Sequence, residues 1–253
     1  MKHILVTNDD GVNAPGLLAL VQAMREVGEV TVTAPATNQS ASGHKKTLHQ
    51  DIIVNKTELA DGTPALSVGG SPADCIALLA LAAGENWPPD LVVSGINRGA
   101  NMGQDITYSG TVTAALEATI NGVPAVAVSL DHREANAVED YTHAARVAIA
   151  VVNQALARPL PPFHILNLNV PKGETIKGIR LARQGIRIYL DELDVSTDGT
   201  VHRIVGPEPE GVVEDVGTDL WAVHQGYASL TPIHLDLTAH QFMAELAAWD
   251  ISV

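Results

Sequence analysis

The sequence predicts an α/β fold, Rossmann-like, with a mostly parallel sheet that carries helices on both faces. Two observations favour this class. Apolar stretches of strand length alternate with stretches of helical periodicity through most of the first 170 residues, which is typical of a parallel sheet covered by helices. The chain has 253 residues and a hydrophobic fraction of 46%, enough for one large core. We therefore expect a single α/β domain over residues 1–253, with an excursion at about residues 184–226.

The first predicted strand, His3 to Thr7, ends at the run NDDG. An Asp-Gly pair between apolar runs is also a hairpin signal. Here, however, Pro15 stands at a helix start, apolar residues follow at helical spacing over Leu17 to Val27, and Gly28 is a stop signal. A strand followed by a helix excludes the hairpin.

The next elements continue this alternation. Further strands are predicted over Glu29 to Ala34, Asp90 to Ser94, Ala125 to Ser129 and His164 to Val170. Further helices are predicted over Pro72 to Ala83, Thr111 to Asn121 and Thr142 to Ala157. The helix at Pro72 has its own start signal, because Ser71 can cap it and Asp74 completes a capping-box arrangement.

From about Gln184 to Gly226 the periodicity weakens, and Asp, Glu, Gly and Pro become frequent. Such an excursion serves oligomer contacts in some proteins and is a mobile solvent loop in others, and the residues alone leave both open. Periodicity then returns, with a strand predicted over Ala228 to Leu237 and a helix over Thr238 to Trp249.

Composition limits the classes of partner. A net charge of −14 and a pI near 5.0 argue against polymeric nucleic acid, which attracts proteins through its phosphates. The single cysteine, Cys75, excludes an intramolecular disulfide. The apolar runs are shorter than the roughly 18 to 20 residues that cross a bilayer, and the run before the first acids is too short for a signal peptide. We expect a cytoplasmic protein with no membrane partner.

Asp9 and Asp10 follow the first strand directly, and ligands of open α/β sheets bind beyond the carboxyl ends of the strands. The pair is either a metal site or part of a solvated loop. Three more polar loops follow predicted elements. They are Ala34 to His44, the glycine-rich loop Ser94 to Tyr108, and Ser109-Gly110-Thr111. The last opens a helix, where unpaired amides and the helix dipole favour an anion.

Five motifs together resemble the stationary-phase survival protein SurE family. They are NDDGVNAPG, the QSASGH loop, GGSPADC, VVSGINRGANMGQDITYSGTV and GYASLTPIHLDLT, in order across nearly the whole chain. The resemblance implies a metal-dependent 5'-nucleotidase that hydrolyses nucleoside monophosphates, with 3'-nucleotidase and short-chain exopolyphosphatase activity as further possibilities. It also implies a homodimer or homotetramer assembled through the C-terminal excursion.

Carried over residue by residue, the resemblance makes Asp9, Asp10, Ser40 and Asn97 the ligands of one divalent metal ion. An all-oxygen set with two carboxylates suits magnesium or manganese. Such an ion would polarise the phosphoryl oxygen and activate water, which gives Asp9 a catalytic role as well.

The other implied site residues have structural alternatives. Asn101, Ser109, Gly110 and Thr111 would hold the phosphate, although Asn in glycine-rich loops and Ser or Thr at helix starts are also favoured by turns and caps. His44 is a candidate proton donor or water-orienting group, or it fills a hydrogen-bonding niche.

Other classes of function would require other motifs. A zinc deacetylase would need H-x-x-H spacing, and a Rossmann oxidoreductase would need G-x-G-x-x-G after the first strand; the sequence has neither. A non-catalytic nucleotide- or metal-sensing module stays open, because phosphate-binding ligands also suffice for sensing. The chain also departs from the family's common residues at Ala36, Thr37, Gln39 and Lys45-Lys46, so base preference stays open too.

Overall fold

A nine-stranded sheet forms the centre of the computed structural model, which describes residues 1–82, 87–207 and 209–251. The strands are β1 His3–Thr7, β2 Glu29–Pro35, β3 Val54–Glu58, β4 Pro64–Val68, β5 Leu91–Arg98, β6 Ala125–Asp131, β7 His164–Pro171, β8 Ile179–Leu181, β9 Arg187–Ile188, β10 Glu192–Val195, β11 His202–Val205, β12 Glu210–Gly211 and β13 Ala228–His234. The helices are α1 Pro15–Met24, α2 Pro72–Ala82, α3 Gly110–Ile120, α4 Thr142–Ala157, α5 Asp219–His224 and α6 His240–Leu246.

The strand order of the large sheet is β3-β4-β2-β1-β5-β6-β7-β13-β8. The strands from β4 to β7 in this order run parallel, and β3 and β13 join them antiparallel. The chain leaves β1 for β2 on one side and later returns as β5 on the other. The strand order therefore reverses at β1, and this is where open α/β sheets form a ligand crevice.

Alternate side chains of β1 enter opposite layers of the core. Ile4 packs with α1 and α4 on one face of the sheet, whereas Leu5 packs with α2 and α3 on the other. This follows from the two-residue period of a strand. Helices thus cover both faces, and the predicted α/β fold class is confirmed.

The predicted elements of the parallel core occur with small shifts in their ends, and α4 has the predicted bounds. The predicted last residue of α2, Ala83, lies outside the described residues. The strand predicted to stop at Ser94 is longer than expected and reaches Arg98. A register shift between Ser94 and Asn97 lets β5 resume its pairing with β6, so Asn97 lies at the end of a strand rather than in a loop.

Two strands at one side of the sheet, the edge strand β3 and its neighbour β4, were not predicted from the sequence. The residues of β3 read VNKTE and are mostly exposed, so they lack the apolar alternation that marks a half-buried strand. The predicted excursion contains β9 to β12 and α5. The last strand ends at His234 rather than Leu237, and α6 is shorter than predicted and buries no residue.

Within the three described segments of the chain, every helix is too short or too polar to span a membrane.

Candidate active site

The turn after β1 presents two carboxylates at the point where the strand order reverses. Asn8 closes this turn, because its side-chain amide donates to the Gly11 carbonyl oxygen at 3.0 Å and its side-chain oxygen accepts from the Gly11 amide at 3.3 Å. Asp9 is only 3% exposed, and Asp10 beside it is partly buried. The local turn therefore holds two acids close together in a place with little solvent.

Asp9 is held by the start of α3. The Thr111 hydroxyl donates to its Oδ1 at 2.5 Å. A Cβ at Gly110 would lie 2.7 Å from Asp9 Cβ and 2.9 Å from its Oδ2, so only glycine lets the helix approach this closely. The pKa of Asp9 is raised to about 6, because burial and, to a smaller degree, the charge of Asp10 raise it more than the Thr111 hydrogen bond lowers it. The site therefore disfavours the charge on Asp9 unless a cation compensates it.

Asp10 joins β5 to the loop that follows β2. Its side chain accepts from the Arg98 backbone amide at 3.0 Å and from the Asn38 side chain at 3.3 Å. Burial raises the pKa of Asp10, and the Arg98 amide opposes this shift. The Gln39 amide donates to the Asp9 carbonyl oxygen at 2.7 Å. These bonds hold the loop that carries Ser40 against the turn that carries the two acids.

A cavity of about 740 Å³ opens above the crevice. The predicted site residues on its wall are Asp9, Ser40, Asn97, Asn101 and Ser109. Asp10 instead lines an adjoining cavity of about 320 Å³, and Arg98 lines both. Three of the four predicted metal ligands therefore share one cavity wall, and the fourth, Asp10, faces the adjoining cavity.

The donor atoms of this cluster fit a hard divalent cation. Two carboxylates supply the charge, and Ser40 and Asn97 supply neutral oxygens. The Asn97 amide nitrogen donates to the Gly99 carbonyl oxygen at 2.8 Å, which leaves the amide oxygen as the coordinating atom. The described residues contain no group of three or more His, Cys, Asp or Glu side chains that could hold a metal ion, so the candidate set depends on its hydroxyl and amide oxygens.

Asn101 is fixed in the wall by residues from two strands, β6 and β7. Its amide nitrogen donates to Ser129 Oγ of β6 at 2.8 Å, and its backbone amide donates to the Asn169 side-chain oxygen at 2.7 Å. Its carbonyl oxygen accepts from Asn167 and Asn169 of β7 at 2.9 and 3.0 Å. Below them, Ser229 and Thr231 of β13 pair with these two asparagines. A buried polar layer thus orients one cavity residue.

The residues at the start of α3 that were predicted to bind phosphate differ in their access to the cavity. Ser109 caps the helix by accepting from the Val112 amide at 3.1 Å, and it lines the cavity. Gly110 and Thr111 are buried beneath it and do not line the cavity. The Thr111 hydroxyl proton is directed to Asp9, so Thr111 orients that carboxylate.

His44 lies away from the cavity. Its Nε2 is 3.1 Å from Glu117 Oε2, two turns down α3, and Lys46 donates to the other Glu117 oxygen at 2.9 Å. Burial raises the pKa of Glu117, but the bonds from His44 and Lys46 outweigh this and hold it below its usual value. The structure therefore shows His44 in a cluster with Glu117 and Lys46 and not beside Asp9.

The excursion contributes a cavity wall that the sequence did not indicate. Tyr189 and Asp191 line the cavity beside Tyr108 and Asp105. Asp105 accepts from the Tyr189 hydroxyl at 2.6 Å and from Arg187 Nε at 2.9 Å. No local sequence pattern predicts the contacts of Asp105 with Arg187 and Tyr189, because they join positions more than 80 residues apart. Only the frequency of tyrosine offers a hint, since two of the four tyrosines in the chain lie here.

Taken together, fold and site define a doubly wound α/β protein with an oxygen-rich, acidic ligand site at the switch point of its sheet. The family model described as Survival protein SurE matches residues 4–191. The chain belongs to this family.

Proteins named 5'-nucleotidase SurE are similar to this chain over nearly its full length. The protein from Chloroflexus aggregans is 48% identical over 98% of this chain and 99% of its own length. The protein from Geobacter sulfurreducens is 46% identical over 99% of this chain and 94% of its own length. The crystal structure of the SurE protein from Aquifex aeolicus is 38% identical and superposes with a TM-score of 0.82, covering 96% of this chain and 98% of that one.

Proposed function

We propose that this chain is a 5'-nucleotidase that depends on one divalent metal ion, magnesium or manganese, and hydrolyses nucleoside 5'-monophosphates to nucleoside and phosphate. The single observation that carries the proposal is the buried carboxylate Asp9 on the wall of a cavity shared with Ser40, Asn97, Asn101 and Ser109. The names of the full-length relatives support the same activity.

In this proposal Asp9, Asp10, Ser40 and Asn97 hold the cation. When bound, the cation supplies a Lewis acid that polarises the phosphoryl oxygen and lowers the pKa of water. Two carboxylates about 4 Å apart repel each other by about 1 kcal/mol in water and by more where water is scarce, so a bound cation would relieve this repulsion.

The protein's own groups bind and orient the phosphate. Ser109 stands at the positive end of α3, where first-turn amides and a hydroxyl favour an anion. Asn101 is held at a fixed position by Ser129 and Asn169 and can contact the oxygens that the metal does not reach. Because these donors contact only the phosphoryl group, a 3'-phosphate or the end of a short polyphosphate chain can compete for the same place.

The test is phosphate release from nucleoside monophosphates after chelation, and again with magnesium, manganese or zinc restored. Wild type should regain activity with metal, and Asp9→Asn should lose at least about 100-fold, because removal of one group that stabilises developing charge typically costs 10²–10³-fold. Asp90→Asn is the matched control, since Asp90 precedes β5 and lies at the amino ends of the parallel strands, whereas Asp9 lies at their carboxyl ends.

Three results would count against this function. They are activity that survives chelation, activity retained by Asp9→Asn, and no release from any nucleotide by folded protein. The last result would favour the sensing module, which binds nucleotide without turnover.

A further inference from the structure

The cavity has an aromatic side that the proposed phosphate chemistry does not use. Tyr108 follows the 3₁₀ helix Gly103–Thr107, and Tyr189 follows β9 in the excursion. Their ring centroids are 6.4 Å apart with an interplanar angle of 88°, and both side chains line the same cavity as Asp9 and Ser109. Apolar ring surface therefore stands within the chamber that holds the candidate phosphate site.

The two rings remain open to the cavity. Tyr108 is 57% exposed and Tyr189 is 39% exposed, although each ring contacts the other edge to face. Ile204 of β11 adds apolar surface to the same cavity and is 77% exposed. Exposed aromatic surface inside a concave, otherwise polar site is typical of a ligand-binding wall.

The wall is also held in place. The Tyr189 hydroxyl donates to Asp105 Oδ1 at 2.6 Å, and Arg187 Nε donates to Asp105 Oδ2 at 2.9 Å. Tyr108 is fixed through its backbone, since its amide donates to the Asp105 carbonyl oxygen at 3.0 Å and its carbonyl oxygen accepts from the Gly43 amide at 2.9 Å. The Tyr189 ring and the Tyr108 backbone are therefore held in place before any ligand arrives, which lowers the entropic cost of binding.

We infer that Tyr108 and Tyr189 form a nucleobase-binding wall, on which the base of a nucleoside monophosphate stacks while its phosphate lies at the Asp9 end of the cavity. This inference rests on the proposed function and names the part of the substrate that the excursion recognises. Every base has a π-face, so stacking tolerates any base. The wall therefore selects nucleotides over sugar phosphates that lack a base.

The test compares a nucleoside 5'-monophosphate with ribose 5-phosphate, which has the phosphate and sugar but no base. Tyr108→Leu and Tyr189→Leu should each raise KM for the nucleotide about tenfold, equivalent to about 1.4 kcal/mol. They should leave kcat for the nucleotide, and kcat/KM for ribose 5-phosphate, within about twofold of wild type.

Two further variants separate stacking from other effects. Tyr189→Phe keeps the ring but loses the hydroxyl bond to Asp105 that orients it, so its KM for the nucleotide should rise less than that of Tyr189→Leu. Tyr227→Leu is the matched control, because Tyr227 is the partner of Lys177 and Arg180 and is not among the residues that line the cavity.

Three outcomes would overturn the wall. Wild type could use ribose 5-phosphate as well as the nucleotide, the Leu variants could impair both substrates equally, or Tyr189→Phe could behave like Tyr189→Leu. If wild type releases phosphate from neither substrate, the proposed function fails separately. Calorimetry of nucleoside monophosphate binding then tests the wall on its own. The Leu variants should bind the nucleotide about tenfold more weakly, and an unchanged affinity would refute the wall.

Discussion

At the scale of single residues, Gly110 decides how closely α3 approaches Asp9. A methyl group there would lie 2.7 Å from Asp9 Cβ and 3.0 Å from Pro72 Cγ. We expect Gly110→Ala to shift the carboxylate and to lower phosphate release about 100-fold, since small misplacements in an active site cost this much. Overpacking should also lower the free energy of unfolding by about 1–3 kcal/mol. Phosphate release and urea unfolding measure the two effects.

Gly69→Ala is the control for this prediction. Its added methyl group would meet no atom closer than the Ile53 carbonyl oxygen at 3.4 Å, so it adds the same atom without a clash. Equal activity of the two variants, or wild-type activity of Gly110→Ala, would contradict the role given to the close approach.

The sequence could predict the convergence of Asp9, Ser40 and Asn97, because each lies at or beyond the carboxyl end of a strand of one parallel sheet and such strand ends meet in one crevice. It could not predict the place of His44. The partner of His44 is Glu117, 73 positions away, and Glu117 on its own looks like an ordinary helix residue. Similarly, the Thr111 hydroxyl could be expected at an anion site, and only the approach of α3 to Asp9 directs it to the carboxylate instead.

At the scale of elements, Asp219 at the start of α5 links the excursion to the loop after β5. It is fully buried, and it accepts from the backbone amides of Gly103 at 2.9 Å, Gly185 at 2.8 Å and Leu220 at 2.8 Å. Asp219→Ala leaves these donors without their acceptor. We expect the free energy of unfolding to fall by about 3 kcal/mol, because unsatisfied buried donors carry the full cost of desolvation.

Asp215→Ala is the matched control for Asp219→Ala. Asp215 forms an exposed ion pair with Arg183 in the same region at 2.6 Å, and exposed pairs contribute less than about 1 kcal/mol. Denaturant unfolding of both variants and wild type gives the comparison. If the two alanine variants lose the same stability, Asp219 is not the link described.

Elements were predictable where burial imposed a pattern and not where it was absent. The run HILVT of β1 is buried along four of its five residues, so its apolar pattern reports its surroundings directly. In contrast, β3 is an exposed edge strand, and β10 and β11 bury no residue. These strands are held by pairing with their neighbours rather than by burial of one face. Strand pairing alone leaves no periodic apolar pattern in the sequence.

At the scale of the whole molecule, the hairpin formed by β10 and β11 has two unlike faces. Leu193 pairs with Ile204, and Asp194 pairs with Arg203 on the opposite face. Leu193 is 63% exposed, and Val195 on its face is 42% exposed. An isolated two-stranded hairpin is marginally stable in water, and exposed apolar surface of this kind is typical of a contact between subunits. This surface supports the homodimer or homotetramer expected from the family resemblance.

We therefore expect light scattering to return two or four times the chain mass of 26.6 kDa. Leu193→Lys should shift the mass towards the monomer, because a closed symmetric assembly repeats the substitution in every copy of the interface and a buried unpaired lysine is costly. Glu192→Lys places the same side chain on the charged face of the hairpin and should leave the mass unchanged. A wild-type mass of 26.6 kDa, or equal masses for the assembled wild type and Leu193→Lys, would show that the apolar face of this hairpin does not hold subunits together.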